Sequence, residues 1–263
     1  MAFLHILAYS WCPMGLLSAF IKLNQRISFA FDSLLPIAMR TYGTTDFHTS
    51  LLPEYIKQDW LVYDIGGGKR PFITQKWKMR DNITQVGIDI DANELNKAPR
   101  GDYDRVMVED ITTYRGLADG NAVVSRSTLE HVKNTKDALE GMASTLKDGG
   151  IIIAFAPCRN ALFAQLNLIV PEKPKHKLLA AIYGEQAKVM GFKAYYDDCT
   201  PLQMEKNIKD LGLEIIERRI YWMSNYFAVF APAHILWRLY QLLMRKAGFT
   251  DFCEGFAFVL KKP

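Results

Sequence analysis

Val62-Tyr63-Asp64-Ile65-Gly66-Gly67-Gly68 is a short β-rich apolar run that feeds directly into three glycines. Strands buried on both faces read as continuous apolar runs, and glycine lets the turn that follows bend sharply and aim its N–H groups at a ligand. Working outward, comparable runs lie at Leu61 to Ile65, Gln85 to Asp89, Arg105 to Val108, Ala122 to Ser125 and Ile151 to Phe155. Five such runs with helical stretches between them predict an open, mainly parallel α/β sheet. Asp89 closes the second run, 23 residues beyond Gly66, where a carboxylate can accept hydrogen bonds from both hydroxyls of a ribose. The dinucleotide fingerprint GxGxxG would need glycine where Pro71 stands, and no phosphate-loop lysine follows, so phosphate cradling is not expected.

The connecting segments carry helix signals. Thr135 can cap a helix with Leu139, Met142, Ala143 and Leu146 on one face, stopped by Gly149-Gly150. Thr200-Pro201-Leu202-Gln203 is a capping box with proline at the first helical position, followed by Met204, Ile208 and Leu211 and ended by Gly212. Leu213 to Trp222 and Glu254 to Leu260 read as two final strands. The 223–253 stretch between them is too long for a turn, so an apolar helix is expected there as an insertion. His234, Arg238, Gln241 and Arg245 form a narrow polar stripe on that helix. Near the start, Leu16, Phe20, Leu23, Ile27, Phe31 and Leu34 recur at helical spacing and predict an amphipathic helix. The expected division is therefore a helical region over 1–52 and a main domain over 53–263, the latter holding an insertion at 158–200 as well as that at 223–253.

Composition sets bounds on function. The chain has 263 residues, 49% of them hydrophobic and 23% charged, which excludes disordered and many-span membrane classes. The net charge of +4 is spread out, so no nucleic-acid partner is expected. Cys12, Cys158, Cys199 and Cys253 make no CxxC pair and the five histidines are scattered, so neither a zinc ribbon nor another metal site is expected; a reducing cytoplasm is the simplest compartment. Residues 1–21 carry no Asp, Glu, Lys or Arg but include Pro13 and Gly15, which disfavours a spanning helix. The first basic residue, Lys22, comes too late for a secretory leader.

Together these motifs resemble those of the class I S-adenosylmethionine-dependent methyltransferases over roughly residues 58–157. The resemblance implies a Rossmann-like, doubly wound seven-stranded sheet with a C-terminal antiparallel strand pair, here with N-terminal and inserted apolar helices added, and S-adenosyl-L-methionine as cofactor. It implies that Asp64, Gly66, Gly67 and Gly68 cradle the amino-acid part of the cofactor and that Asp89, with Ile90 beside it, holds the ribose. Asp110 would reach the adenine amino group, Ile111 would pack on the ring, and Ser125 would end the fourth strand beside the site. Arg70 stands where that family often has a third glycine. Ser127-Thr128-Leu129-Glu130-His131-Val132 is similar to the family's segment beside the methyl group.

Methyl transfer from a sulfonium is an in-line displacement, so positioning and exclusion of water dominate and a base is optional. His131 is the candidate base for a hydroxyl acceptor, or else a residue that orders its own loop. Arg159, Tyr195, Tyr196 and Asp197 are the acceptor-contact candidates, weighed against a lid that packs only on itself. The basic run Pro171 to Lys177 is a second place for an anionic group, or a solvated loop. The two apolar helices are read as an intramolecular cap, a homodimer interface, or a peripheral membrane contact anchored by Trp11, Trp222 and Trp237 with Lys22, Arg26, Arg245 and Lys246. The expected function is methyl transfer, at oxygen, to a small-molecule, lipid-linked or glycan acceptor by a cytoplasmic enzyme. A nicotinamide-dependent oxidoreductase and a non-catalytic scaffold of the same fold are the alternatives.

Overall fold

In a computed structural model, residues 16–169 and 193–263 are described. Seven strands, β1 (Leu61–Ile65), β2 (Thr84–Asp89), β3 (Arg105–Val108), β4 (Gly120–Arg126), β5 (Leu146–Pro157), β6 (Glu214–Tyr221) and β7 (Gly255–Lys261), form one sheet in the order β3-β2-β1-β4-β5-β7-β6. The strands β1 to β5 pair in parallel, whereas β7 is antiparallel to both β5 and β6. This is the expected doubly wound sheet with its closing antiparallel pair. Strand alternation divides the core. Tyr63, Ile65, Val123, Ile152 and Phe258 face α4 (Thr135–Thr145) and α6 (Pro201–Asp210). Val62, Val124, Ile153, Phe155 and Val259 face Phe47, Leu51 and Leu52, from the short helical turns between Ile37 and Tyr55. Arg219 on β6 ties those turns down through Asp46, Glu54 and Ser50.

Two boundaries differ from the sequence reading. Asn134, not Thr135, caps α4: its side chain accepts the Asp137 N–H at 3.1 Å, while Thr135 is engaged by Asp197. The helix also ends before Leu146, because Lys147 to Gly150 already belong to β5. Thr200 caps α6 by accepting the Gln203 N–H on its hydroxyl, but the reciprocal half of the box is not made, because the Thr200 N–H donates to the Asp198 carbonyl; Gly212 adopts φ +71° to end α6.

The terminal helix α1 (Leu16–Ser33) and the inserted α7 (Ala231–Lys246) pack on each other, with polarity opposite to that of an ordinary amphipathic pair. Asn24, Ser28 and Asp32 of α1 and His234, Arg238 and Gln241 of α7 are buried. Of the apolar stripe read from the sequence, Phe31 packs against the core, but Phe20, Leu23, Ile27 and Leu34 face outward, with Leu23 57% and Leu34 80% exposed on one helix and Leu236 69% and Leu243 60% exposed on the other. Arg238 is the centre of the seam. It donates to Asp32 Oδ1 at 2.8 Å, to the Trp222 carbonyl at 2.5 Å, to Gln241 Oε1 at 2.6 Å and to the Met39 carbonyl. Asp32 also meets His234 Nε2 at 3.0 Å, and Gln241 passes the chain of bonds to Glu254. Trp222 is buried in the core and cannot anchor anything outside, and Trp11 lies outside the described residues.

Removing one member of a buried charge pair strands the other, at about 3–5 kcal/mol. Arg238→Met should therefore lower the unfolding free energy by about that much in urea denaturation, and Asp32→Asn combined with it should cost less than the two single changes added together. Additive losses would show that the pair is not coupled.

Candidate functional site

The order of strands reverses direction between β1 and β4, so connecting segments leave opposite faces there and open a hollow beyond the carboxyl ends of the strands. A cavity of about 520 Å³ occupies that place. Its walls include Gly66 after β1, Asp89 and Ile90 after β2, Asp110 and Ile111 after β3, and His131 and Lys133 after β4. Lys193 and Tyr195 close it from the other side.

The loop after β1 is shaped by contacts that leave no room for side chains. Gly66 has φ +74°, and a Cβ there would come within 2.2 Å of Thr128 Oγ1; one on Gly67 would come within 2.2 Å of Asp64 Oδ1. Asp64 is fully buried behind the loop rather than lining the cavity. Its Oδ2 accepts the Phe72 N–H at 2.9 Å and the Tyr103 hydroxyl at 3.3 Å, and burial pushes its carboxyl up to about 7. Arg70 does not line the cavity, whereas Arg126, at the end of β4, lies over the Phe72 ring at 5.2 Å. It also contacts His48, whose imidazole is pushed down to about 4, by burial first and then by the guanidinium.

The acids form one end of the hollow. Asp89 is half-buried, with its carboxyl raised above the ordinary value chiefly by burial. Its Oδ1 accepts the Asp91 N–H at 2.9 Å, and Oδ2 points toward the loop, 3.2 Å from where a Gly68 Cβ would sit. Asp110 Oδ1 accepts from the backbone and hydroxyl of Thr112, which fixes the carboxylate and leaves its second oxygen for a ligand. Ile90 is exposed and Ile111 buried, and both line the wall between these acids. Ser125 is buried, and its hydroxyl has no hydrogen-bond partner among the described residues.

The opposite end is basic, and it is assembled by a strap. The Tyr195 and Tyr196 N–H groups both donate to the Glu130 carbonyl, at 2.7 and 3.0 Å, and the Thr135 N–H donates to Asp197 Oδ2 at 3.0 Å. These bonds lay residues 193–197 across residues 130–135. Tyr195 thereby lines the cavity, with the ammonium groups of Lys133 and Lys193 5.7 and 5.1 Å from its ring centroid. Tyr196 is core, Asp197 holds the start of α4, and Arg159 donates to the Tyr196 carbonyl, so these three support the wall instead of lining it. The basic run Pro171 to Lys177 lies outside the described residues. His131 Nδ1 is 3.1 Å from the Lys193 carbonyl, which can only accept, so Nδ1 carries a proton and donates it there. Thr128 borders the cavity within the segment expected beside the methyl group, whereas Thr112, Lys133, Asn134 and Lys193 border it without having been anticipated, because no local motif marks them.

Residues 63–154 match the family model described as a methyltransferase domain. This match supports a class I S-adenosylmethionine-dependent methyltransferase. This methyltransferase is 21% identical over 229 residues to a carboxy-S-adenosyl-L-methionine synthase of Nautilia profundicola, covering 80% of the chain and 92% of the relative. Among solved structures it resembles, at 15% identity and TM-score 0.54, the chain described as a methyltransferase in complex with the Haloferax volcanii Trm112 methyltransferase activator; coverage is 84% and 91%. It also resembles, at 11% identity and TM-score 0.52, the geranyl diphosphate C-methyltransferase of Streptomyces coelicolor A3(2), solved with Mg²⁺, geranyl diphosphate and S-adenosyl-L-homocysteine; coverage is 84% and 81%. At these identities the structural likeness speaks for the shared fold. The site's own features fit the cofactor: a glycine turn with no room for side chains, of which Gly66 lines the cavity, two fixed carboxylates, and a volume within the roughly 300–1,000 Å³ of small-molecule sites.

Glu130 stands behind His131, with Oε1 3.9 Å from His131 Nε2, and burial pushes its carboxyl up to about 8. The unfolded chain releases that proton near the ordinary 4.5, so the folded state holds an extra proton, and stability falls as pH rises, between about pH 4.5 and about pH 8. Glu130→Gln abolishes that loss. Its melting temperature should rise relative to wild type progressively across the window, and a constant offset at every pH would refute the neutral buried acid.

Proposed function

We propose that this methyltransferase moves a methyl group to an oxygen of an acceptor that carries an anionic group, the acceptor being a small molecule, a lipid-linked intermediate or a glycan. The observation behind this reading is the cavity's polarity: Asp89, Glu109 and Asp110 at one end, and His131, Lys133 and Lys193 around Tyr195 at the other. S-adenosyl-L-methionine, when bound, supplies an electrophilic methyl on a sulfonium. Gly67 and Gly68 would offer backbone N–H groups to its amino-acid part, while the Gly66 N–H is held by the Ile88 carbonyl and its bare Cα lets the cofactor approach; Asp89 would take the ribose hydroxyls; Asp110, Ile90 and Ile111 would hold the base; Asp64 and Ser125 support the loop and strand from behind. On the other side, His131 Nε2 takes the acceptor's hydroxyl proton while its Nδ1–H stays bonded to Lys193. Lys133 and Lys193 face the acceptor's negative charge, and Tyr195 covers it from water. The 158–200 stretch, with Arg159, Tyr196 and Asp197 bracing the strap, acts as the acceptor-side insertion on the 53–263 domain. The described cysteines are free and buried, which fits work in the cytoplasm.

One observation favours a second reading. The curated relative is named for making a carboxylated form of the cofactor, and the basic end suits a carboxylate carried by the cofactor as well as one carried by the acceptor.

Titration calorimetry with S-adenosylhomocysteine on wild type and Asp89→Ala tests the cofactor half: loss of a ribose-binding carboxylate should weaken binding by about 2 kcal/mol, or roughly 30-fold. Equal affinities would reject the assignment. With methyl-labelled S-adenosylmethionine, phosphorylated and carboxylated sugars should accept label better than their neutral counterparts, and Lys133→Ala with Lys193→Ala should erase that preference while leaving S-adenosylhomocysteine binding intact. A preference for the neutral members would overturn the acceptor class.

A further inference from the structure

The outward apolar face of the α1–α7 pair calls for an occupant. Single exposed apolar side chains are ordinary, but here Phe20, Leu23, Ile27 and Leu34 stand beside Leu236, Leu239 and Leu243 on two helices packed together. The pair turned its polar residues inward and satisfied them there, through Arg238, Asp32 and Gln241. That is the arrangement expected where the outer medium is hydrocarbon rather than water. The charge around this face has one sign. Lys22, Arg26, Arg40, Arg245 and Lys246 are exposed, whereas across 16–45 and 222–250 the only acid is Asp32, buried in the seam. A second copy docking through the same face would bring these cations together, but an anionic bilayer neutralises them.

The pair is also placed toward the site. Strand β6 runs parallel to β5 because both pair antiparallel with β7, so β6 ends at the sheet edge where β1, β2 and β4 end and where the cavity lies. The α7 insertion leaves β6 at that edge. So does α5 (Leu162–Ile169), which follows β5, contains no charged residue and exposes Leu166 and Ile169.

We infer that α1 and α7 seat this enzyme on anionic lipid, inserted to the depth of their apolar side chains, with the sheet edge that carries the cavity turned toward the bilayer. No helix among the described residues is long and apolar enough to cross a membrane, and the contact inferred for α1 and α7 is a peripheral one. The inference builds on the proposed function by naming where the acceptor is met: the interface, where lipid-linked anionic molecules reside.

Flotation of the full chain with vesicles of phosphatidylcholine, alone or mixed with phosphatidylglycerol, tests it. Wild type should float with the anionic vesicles and more weakly with the neutral ones. Arg245→Gln with Lys246→Gln should lower anionic-vesicle binding about fivefold for each cation removed. Leu236→Asp with Leu243→Asp should abolish flotation, while melting temperature and S-adenosylhomocysteine affinity stay at wild-type values. Failure of wild type to float with either vesicle overturns the inference, as does a homodimer in light scattering that Leu236→Asp with Leu243→Asp dissolves. Retained S-adenosylhomocysteine binding in that case leaves the cofactor assignment standing, so the two readings fail separately.

Discussion

A parallel sheet wound in both directions must part at the point of reversal, and everything else in this molecule is arranged around that gap. At the reversal between β1 and β4 the connecting segments leave opposite faces of the sheet, so the loops after β1, β2, β3 and β4 converge on the cavity. The antiparallel β7 then lets β6 return in the same direction as β5. Its exit therefore falls on the open edge, and the 223–253 insertion is carried there as well.

Keeping the gap open has its own physical cost. Asp64 is buried as a carboxyl with one oxygen lacking a hydrogen-bond partner among the described residues, and Glu130 is buried with another such oxygen. Isolated buried acids are unfavourable, and burial drives both toward the protonated form. Asp64 holds the far end of the glycine loop through the Phe72 N–H, and the Glu130 backbone carbonyl holds the strap. Rigidity at the cavity wall is thus built from groups that reduce global stability.

What could be read in the sequence was whatever a local signal encodes. The strand runs, the glycine turn, Asp89 at a strand end and the helix cap at Thr200 are each specified by residues close together in the chain, and each is formed in the fold. The basic end of the cavity could not be read this way. Lys133 and Lys193 are brought to one tyrosine only because two backbone N–H groups choose the Glu130 carbonyl, and nothing in the side-chain pattern encodes that choice. The direction of the amphipathic helices was equally hidden. Periodicity finds the stripe on α1 and α7 but does not say which side water is on, and the usual assumption places it the wrong way round.

The inverted pair also divides its residues into two kinds by what each position tolerates. If the outer side meets lipid, as inferred above, a leucine, isoleucine or phenylalanine serves equally there, since a fluid medium asks for greasiness and not for shape. Along the inner side a guanidinium, a carboxylate and two backbone carbonyls are matched atom to atom, so one exchange leaves several partners stranded. Drift in this part of the molecule is therefore free on the skin and frozen at the joint, the reverse of what a water-facing helix permits.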